Sequence, residues 1–112
     1  MRFMRLENMT PHPINICASD GEIVIPSSCR VARLEVTCVP HHAPLRTDMG
    51  DIPLWWRLRG AVTGLPAAQP GVGYVVSALV AEAVEREDVY SPAELVRDSA
   101  GRVIGCKGLV MT

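Results

Sequence analysis

GVGYVVSALVAEAVEREDVYSPAELVRDSAGRVIGCKGL, residues Gly71 to Leu109, decides the fold, because it reads in order as strand, helix, turn and hairpin. Tyr74, Val75 and Val76 follow the glycines Gly71 and Gly73; being aromatic and β-branched, they favour an extended strand. Ser77 is placed to cap a helix, since its hydroxyl can accept one of the free N–H groups of the first turn. The spacing predicts that helix over about residues 78–87, with Val76, Val80, Ala83 and Val84 on one side. Glu82 and Arg86 are four apart with the acid first, the favourable order for a surface pair. Tyr90-Ser91-Pro92 breaks the helical period. ELVRD and RVIGC then flank Ser99-Ala100-Gly101, a hairpin whose glycine supplies a positive φ.

Upstream, Thr10-Pro11-His12-Pro13 is a rigid, non-helical lead into a short strand in which Ile14 and Ile16 alternate with Asn15. Asp20-Gly21 turns the chain into a returning strand, Glu22 to Ile25. Arg30 to Cys38 alternates, with Ala32, Leu34, Val36 and Cys38 on one face and Arg33, Glu35 and Thr37 on the other. Pro40 to Gly50 has no period and reads as a long loop or hairpin tip. Leu54 to Val62 resumes as a strand, with Leu54, Trp56 and Leu58 expected inward and Trp55, Arg57 and Arg59 outward. A tryptophan beside two arginines on an outward face is either surface stacking, a subunit interface or a platform for a planar anion. The sum is an α+β fold: a small antiparallel β-sheet of about seven short strands and hairpins with one main helix.

The chain has 112 residues, which predicts a single domain over 1–112. Hydrophobic residues make up 48% of it, and a single helix covers only one face of a sheet, so self-association is expected. The net charge of −1 gives no general attraction to a nucleic acid polymer or an acidic membrane. The longest uncharged apolar run, Val72 to Ala81, is about half of the roughly 20 residues a spanning helix needs. MRFMRLEN has no apolar segment after its charges and does not read as a signal peptide, so a cytoplasmic protein is expected.

Cys38-x-x-His41-His42 has the spacing of half a zinc site, but Cys17, Cys29, Cys106 and His12 show no matching half, and no metal or other cofactor is expected. The cysteines form no CxxC pair and read as reduced, structural residues. Asp48 with Asp51, and Glu87 with Asp88, are paired acids without a histidine to complete a relay, and Ser77 and Ser91 lack a nucleophile elbow, so no enzyme is expected. Gly71-Val72-Gly73 precedes its strand, the wrong order for a dinucleotide-binding turn. What remains is arginine on extended structure, at Arg33, Arg57, Arg59, Arg97 and Arg102, and a helix start at Ser77 that could offer N–H groups to an anion. Ten of the eleven basic residues are arginine, which suits phosphate recognition and equally reflects a GC-rich coding sequence.

T-P-H-P-I-N-I, I-P-S-S-x-x-V-A-R, G-L-P, Y-V-V-S-A-L-V-A, R-E-D-V-Y-x-P and V-R-D-x-x-G-R-V-I-G-C together resemble a family of small proteins of bacteriophages and prophages. In size and layout the chain also looks like the Thoeris anti-defence sponges, phage proteins that sequester cyclic nucleotide immune signals without degrading them and that assemble as oligomers. The resemblance covers nearly the whole chain except the loop around His41 to Asp51. Two positions depart from it: Cys29 stands where glycine is expected, and Glu82-Ala83 where an asparagine is frequent. The resemblance implies a homo-oligomeric binder of a cyclic nucleotide or cyclic ADP-ribose-type signal in the host cytoplasm. Arg33, Arg97 and Arg102 are then the expected phosphate forks, with Tyr74 as a base-stacking surface and Ser77 beside it. The alternative is a protein-binding inhibitor or virion accessory protein that uses the Trp55, Arg57 and Arg59 face.

Overall fold

A computed structural model describes residues 4–112. Among these residues the chain forms ten strands and one short helix: β1 (Arg5–Asn8), β2 (Ile14–Ala18), β3 (Gly21–Ile25), β4 (Arg33–Pro40), β5 (Leu45–Thr47), β6 (Gly50–Ile52), β7 (Trp55–Thr63), β8 (Val72–Val75), α1 (Ala78–Ala83), β9 (Val89–Arg97) and β10 (Val103–Val110). The mostly-β architecture with one helix agrees with the expected class. The sheet is not wholly antiparallel, however. Its six strands run in the order β1-β8-β9-β10-β2-β3. The pairs β9/β10 and β2/β3 are antiparallel, while β1/β8, β8/β9 and β10/β2 are parallel.

Both hairpins predicted within this sheet form. Ala18 pairs with Gly21, whose φ is 144°, and Arg97 pairs with Val103 across a turn in which Gly101 takes φ 82°. Strand β9 is longer than the sequence suggests. Tyr90-Ser91-Pro92 does end the helical pattern, but as ladder residues rather than a loop, with Pro92 opposite Leu109.

The predicted helix over 78–87 is a correction: it spans only Ala78–Ala83. Ser77 caps it as expected, its hydroxyl oxygen accepting from the Val80 N–H at 3.4 Å. Val84 is already extended, at φ −115° and ψ 137°. Glu82 does not hold Arg86. The Arg86 guanidinium instead makes a two-pronged contact with Asp88, at 2.9 and 2.6 Å, and donates to the Pro66 carbonyl at 2.9 Å. A fork satisfied on three acceptors outweighs a helix-surface pair of a few tenths of a kcal/mol, and it draws the chain out of the helix.

Met9, Ala32, Val72, Tyr74, Val76, Val80, Ala81 and Val89 pack as the main core, and Ile16, Ile25 and Cys106 form a second cluster. Asn8 closes the curled sheet between its two edges. The residue is wholly buried; its side-chain NH₂ donates to the Ile25 carbonyl at 3.0 Å and the His12 carbonyl at 2.9 Å, while its oxygen accepts from the N–H and hydroxyl of Thr10. All four of its polar valences are used, which is how an amide can be buried without loss.

β4 and β7 leave this body as a two-stranded ribbon, and β5 and β6 form its tip. Pro40 to Gly50 is thus a hairpin tip. The expected inward face of the ribbon is a second correction: Leu54, Trp56 and Leu58 are exposed, as are Val36 and Cys38. Among the described residues no body lies beneath the ribbon to bury them. A compact domain of this length has a radius of gyration of about 13 Å; here it is 18.1 Å, within an envelope of 60 × 39 × 23 Å. Among the described residues no helix is long and apolar enough to cross a membrane.

Candidate functional site

Where the ribbon leaves the body, Val31, Ala32, Arg33 and Leu34 pass the start of α1 and the segment after β1. The Ala32 N–H donates to the Met9 carbonyl at 3.0 Å, and the Met9 N–H to the Val75 carbonyl at 2.7 Å, which fixes this crossing to the sheet. The result is a cleft of about 240 Å³. Met9, Leu34, Leu79 and Val80 supply apolar walls; Arg33, Thr10 and Ser77 supply the polar groups. Arg33 enters no ion pair among the described residues. Its guanidinium therefore keeps a full set of donors for a phosphate or carboxylate. The Thr10 hydroxyl donates within the Asn8 loop at 2.6 Å, leaving lone-pair capacity toward the cleft. Ser77 accepts from Val80, so its hydroxyl proton is free to donate.

The expected ligand residues divide at this point. The structure brings Arg33 and Ser77 together at one cleft. Ser77 is there as a capped hydroxyl; α1 has six residues and its first turn is already served by Ser77, so the anticipated helix-start anion site is not formed. Tyr74 is a correction: it is 1% exposed, a core residue whose hydroxyl donates to the Ala67 carbonyl at 3.3 Å. Its ring faces the Arg86 guanidinium, 5.8 Å from the ring centre, and presents no surface on which a base could stack. Arg97 and Arg102 stand at the β9–β10 turn, outside this cleft. Arg97 donates to the Gly101 carbonyl at 2.8 Å, and Arg102 pairs with Asp98 at 3.1 Å. The like charges are thus each held by a local acceptor.

Trp55, Arg57 and Arg59 share one face of the ribbon with Val36 and Cys38, since Arg57 lies opposite Cys38 and Arg59 opposite Val36. Trp56, Leu58 and Val39 share the other. The two tryptophans are 57% and 55% exposed, and neither arginine has an ionic partner among the described residues. His41 and His42 stack on each other at 4.4 Å, with His41 against Trp56 at 4.8 Å. Among the described residues no three histidine, cysteine, aspartate or glutamate side chains gather as a metal site would require. All four cysteines are free, but Cys29 and Cys38 are exposed rather than packed.

The most perturbed titrating pair is Arg86 and Asp88. The hydrogen bonds from Arg86 hold the Asp88 carboxyl below its ordinary range, and the same contacts raise Arg86 above its own. This pair joins the Gly64–Gly71 segment to the core and lies outside the Arg33 cleft, so it is structural. Comparison with protein-family models, with curated proteins and with solved structures gives no match for this chain.

Proposed function

We propose that this chain is a phage-encoded binding protein that sequesters a cyclic nucleotide or a cyclic ADP-ribose-type signal without degrading it, and that it works as a homo-oligomer in the host cytoplasm. The observation that supports this most is Arg33, a guanidinium with no ion pair among the described residues, at the rim of an apolar cleft flanked by two hydroxyls. A base or ribose ring is accommodated by Met9, Leu34, Leu79 and Val80, while the fork takes the phosphate. At about 240 Å³ the cleft is smaller than the roughly 300–1,000 Å³ of a complete small-molecule site. A neighbouring copy that walls its open side would complete it, which ties the binding reading to self-association through the ribbon.

Isothermal calorimetry with cyclic di- and trinucleotides and cyclic ADP-ribose isomers tests this reading. At least one should bind, and Arg33→Ala should weaken it by on the order of 2–3 kcal/mol, around a hundredfold. Arg33→Lys should lose most of the same affinity, because lysine keeps the charge but not the fork. Heat from none of these ligands would overturn the reading in favour of a second one. That second reading, a protein-binding inhibitor or virion accessory protein, draws on the exposed Trp55, Arg57 and Arg59 face, whose residue types are those that carry protein interfaces.

A further inference from the structure

We infer that the ribbon tip of one copy docks on a second copy of this chain, in the apolar cleft between β2, β9 and β10, with Met49 entering the cleft and Asp48 meeting Arg97. The inference rests on the self-association reading above and names its contact.

Two unsatisfied surfaces of matching character lie on the same chain. The first is the tip. Thr47 pairs with Gly50, leaving Asp48-Met49 as a two-residue turn; the Thr47 hydroxyl donates to the Gly50 carbonyl at 2.6 Å and accepts from the Met49 N–H at 3.1 Å. The positive φ at this tip falls on Gly50, at 120°, and not on the two central residues, so the turn tolerates most residue types there. Here one holds methionine, 85% exposed, flanked by Leu45 and Ile52 at 49% and 41%. A flexible apolar side chain held at the end of a rigid turn is suited to filling an irregular cavity.

The second surface is a cleft of about 350 Å³ whose apolar lining includes Ile14, Pro92, Leu95, Val103 and Ile104. Leu95, Val103 and Ile104 are about half exposed, so the sheet is uncovered on this side. Leu95 and Arg97 are two apart on β9 and point to the same face, which puts Arg97 at the rim. Arg97 has only a carbonyl partner, Gly101, and Asp48 enters no ion pair among the described residues. The charges are complementary: an unpaired acid beside the methionine, an unpaired arginine beside the cleft.

The tip alone is too small for a stable contact, which takes about 800 Å² from each partner. The ribbon behind it supplies more, because each of its faces carries a half-exposed tryptophan, Trp55 on one and Trp56 on the other. Docking the tip at the far side of a second body would lay one of these faces, with its tryptophan, along that body.

The test uses the full chain. Tagged Met49→Cys chains are mixed with untagged Leu95→Cys chains, both carrying Cys29→Ser and Cys38→Ser, and are oxidised; the mass in solution is read by sedimentation. Wild type should sediment above 12.2 kDa, the mass of one chain. A disulfide-linked species of one tagged and one untagged chain should form, and Met49→Asp, at a position too exposed to disturb folding, should weaken assembly at least tenfold. An assembly that gives no mixed species and ignores Met49→Asp would overturn this docking while leaving self-association standing. A wild-type monomer at micromolar concentration would overturn both.

Discussion

Arg86 and Asp88 show how residue-scale chemistry reshapes an element. Their side chains are 27% and 18% exposed, so solvent screens them only in part. Asp88 titrates below its ordinary value of 3.8 because the folded state favours its charged form. A carboxyl depressed in this way contributes stability in full above its unfolded pKa of about 4, and loses it as the pH falls through the folded value. Asp88→Asn should therefore cost on the order of 1–2 kcal/mol at pH 7, and the difference from wild type should shrink steadily below pH 4. Urea titrations across that range measure it; a cost that persists unchanged at pH 2 would show that the charge is not its source. Residue-level expectations fared unevenly for a common reason. Ser77 and Gly101 act through neighbours a few positions away, and their roles were legible. Asn8 reaches Ile25, Arg86 reaches Pro66 and Tyr74 disappears beneath Ala67, and none of those contacts leaves a local signature.

At the scale of elements, period-two alternation identified β2, β4 and β7, and the Asp20-Gly21 turn identified β3. Within one strand alternation says which residues share a face, but it set Val36 and Cys38 inward together with Trp56 and Leu58, and the ladder puts the two sets on opposite faces of the ribbon. It could not say what covers a face, and Trp56 and Leu58 stay about half exposed, with His41 against Trp56. Strand β1 was not legible at all: Arg-Leu-Glu-Asn carries no alternation of buried and exposed types, and it is a strand because β8 lies parallel beside it. Parallel partners are joined by long connections, so their pairing is invisible in a short window. The ribbon offers its own test, since two strands alone are marginal in water. If a second copy supports it, amides of Val36 to Leu58 should exchange with deuterium several-fold faster on dilution from high micromolar to nanomolar concentration, whereas those of β8 and β9 stay protected. Exchange in the ribbon that is independent of concentration would show that it stands without a partner.

For the whole molecule, the envelope and the cleft belong to one account. A chain 60 Å long with half-exposed tryptophans carries apolar surface that a partner would bury, and the cleft at the root of its ribbon is a partial enclosure. Arg33 and Ser77 were legible as candidates one at a time; their meeting depends on β4 crossing the start of α1, which only the tertiary structure supplies. Met9 and Thr10 complete the walls and carried no signal of binding. Sequestration differs from catalysis in what comes back. The most direct measurement is to load the protein with the tightest-binding cyclic nucleotide, incubate for hours, denature by heat and assay the released small molecule by mass spectrometry. The account predicts the intact ligand, in fixed proportion to protein and undiminished with time; linearised or hydrolysed product accumulating during incubation would contradict it.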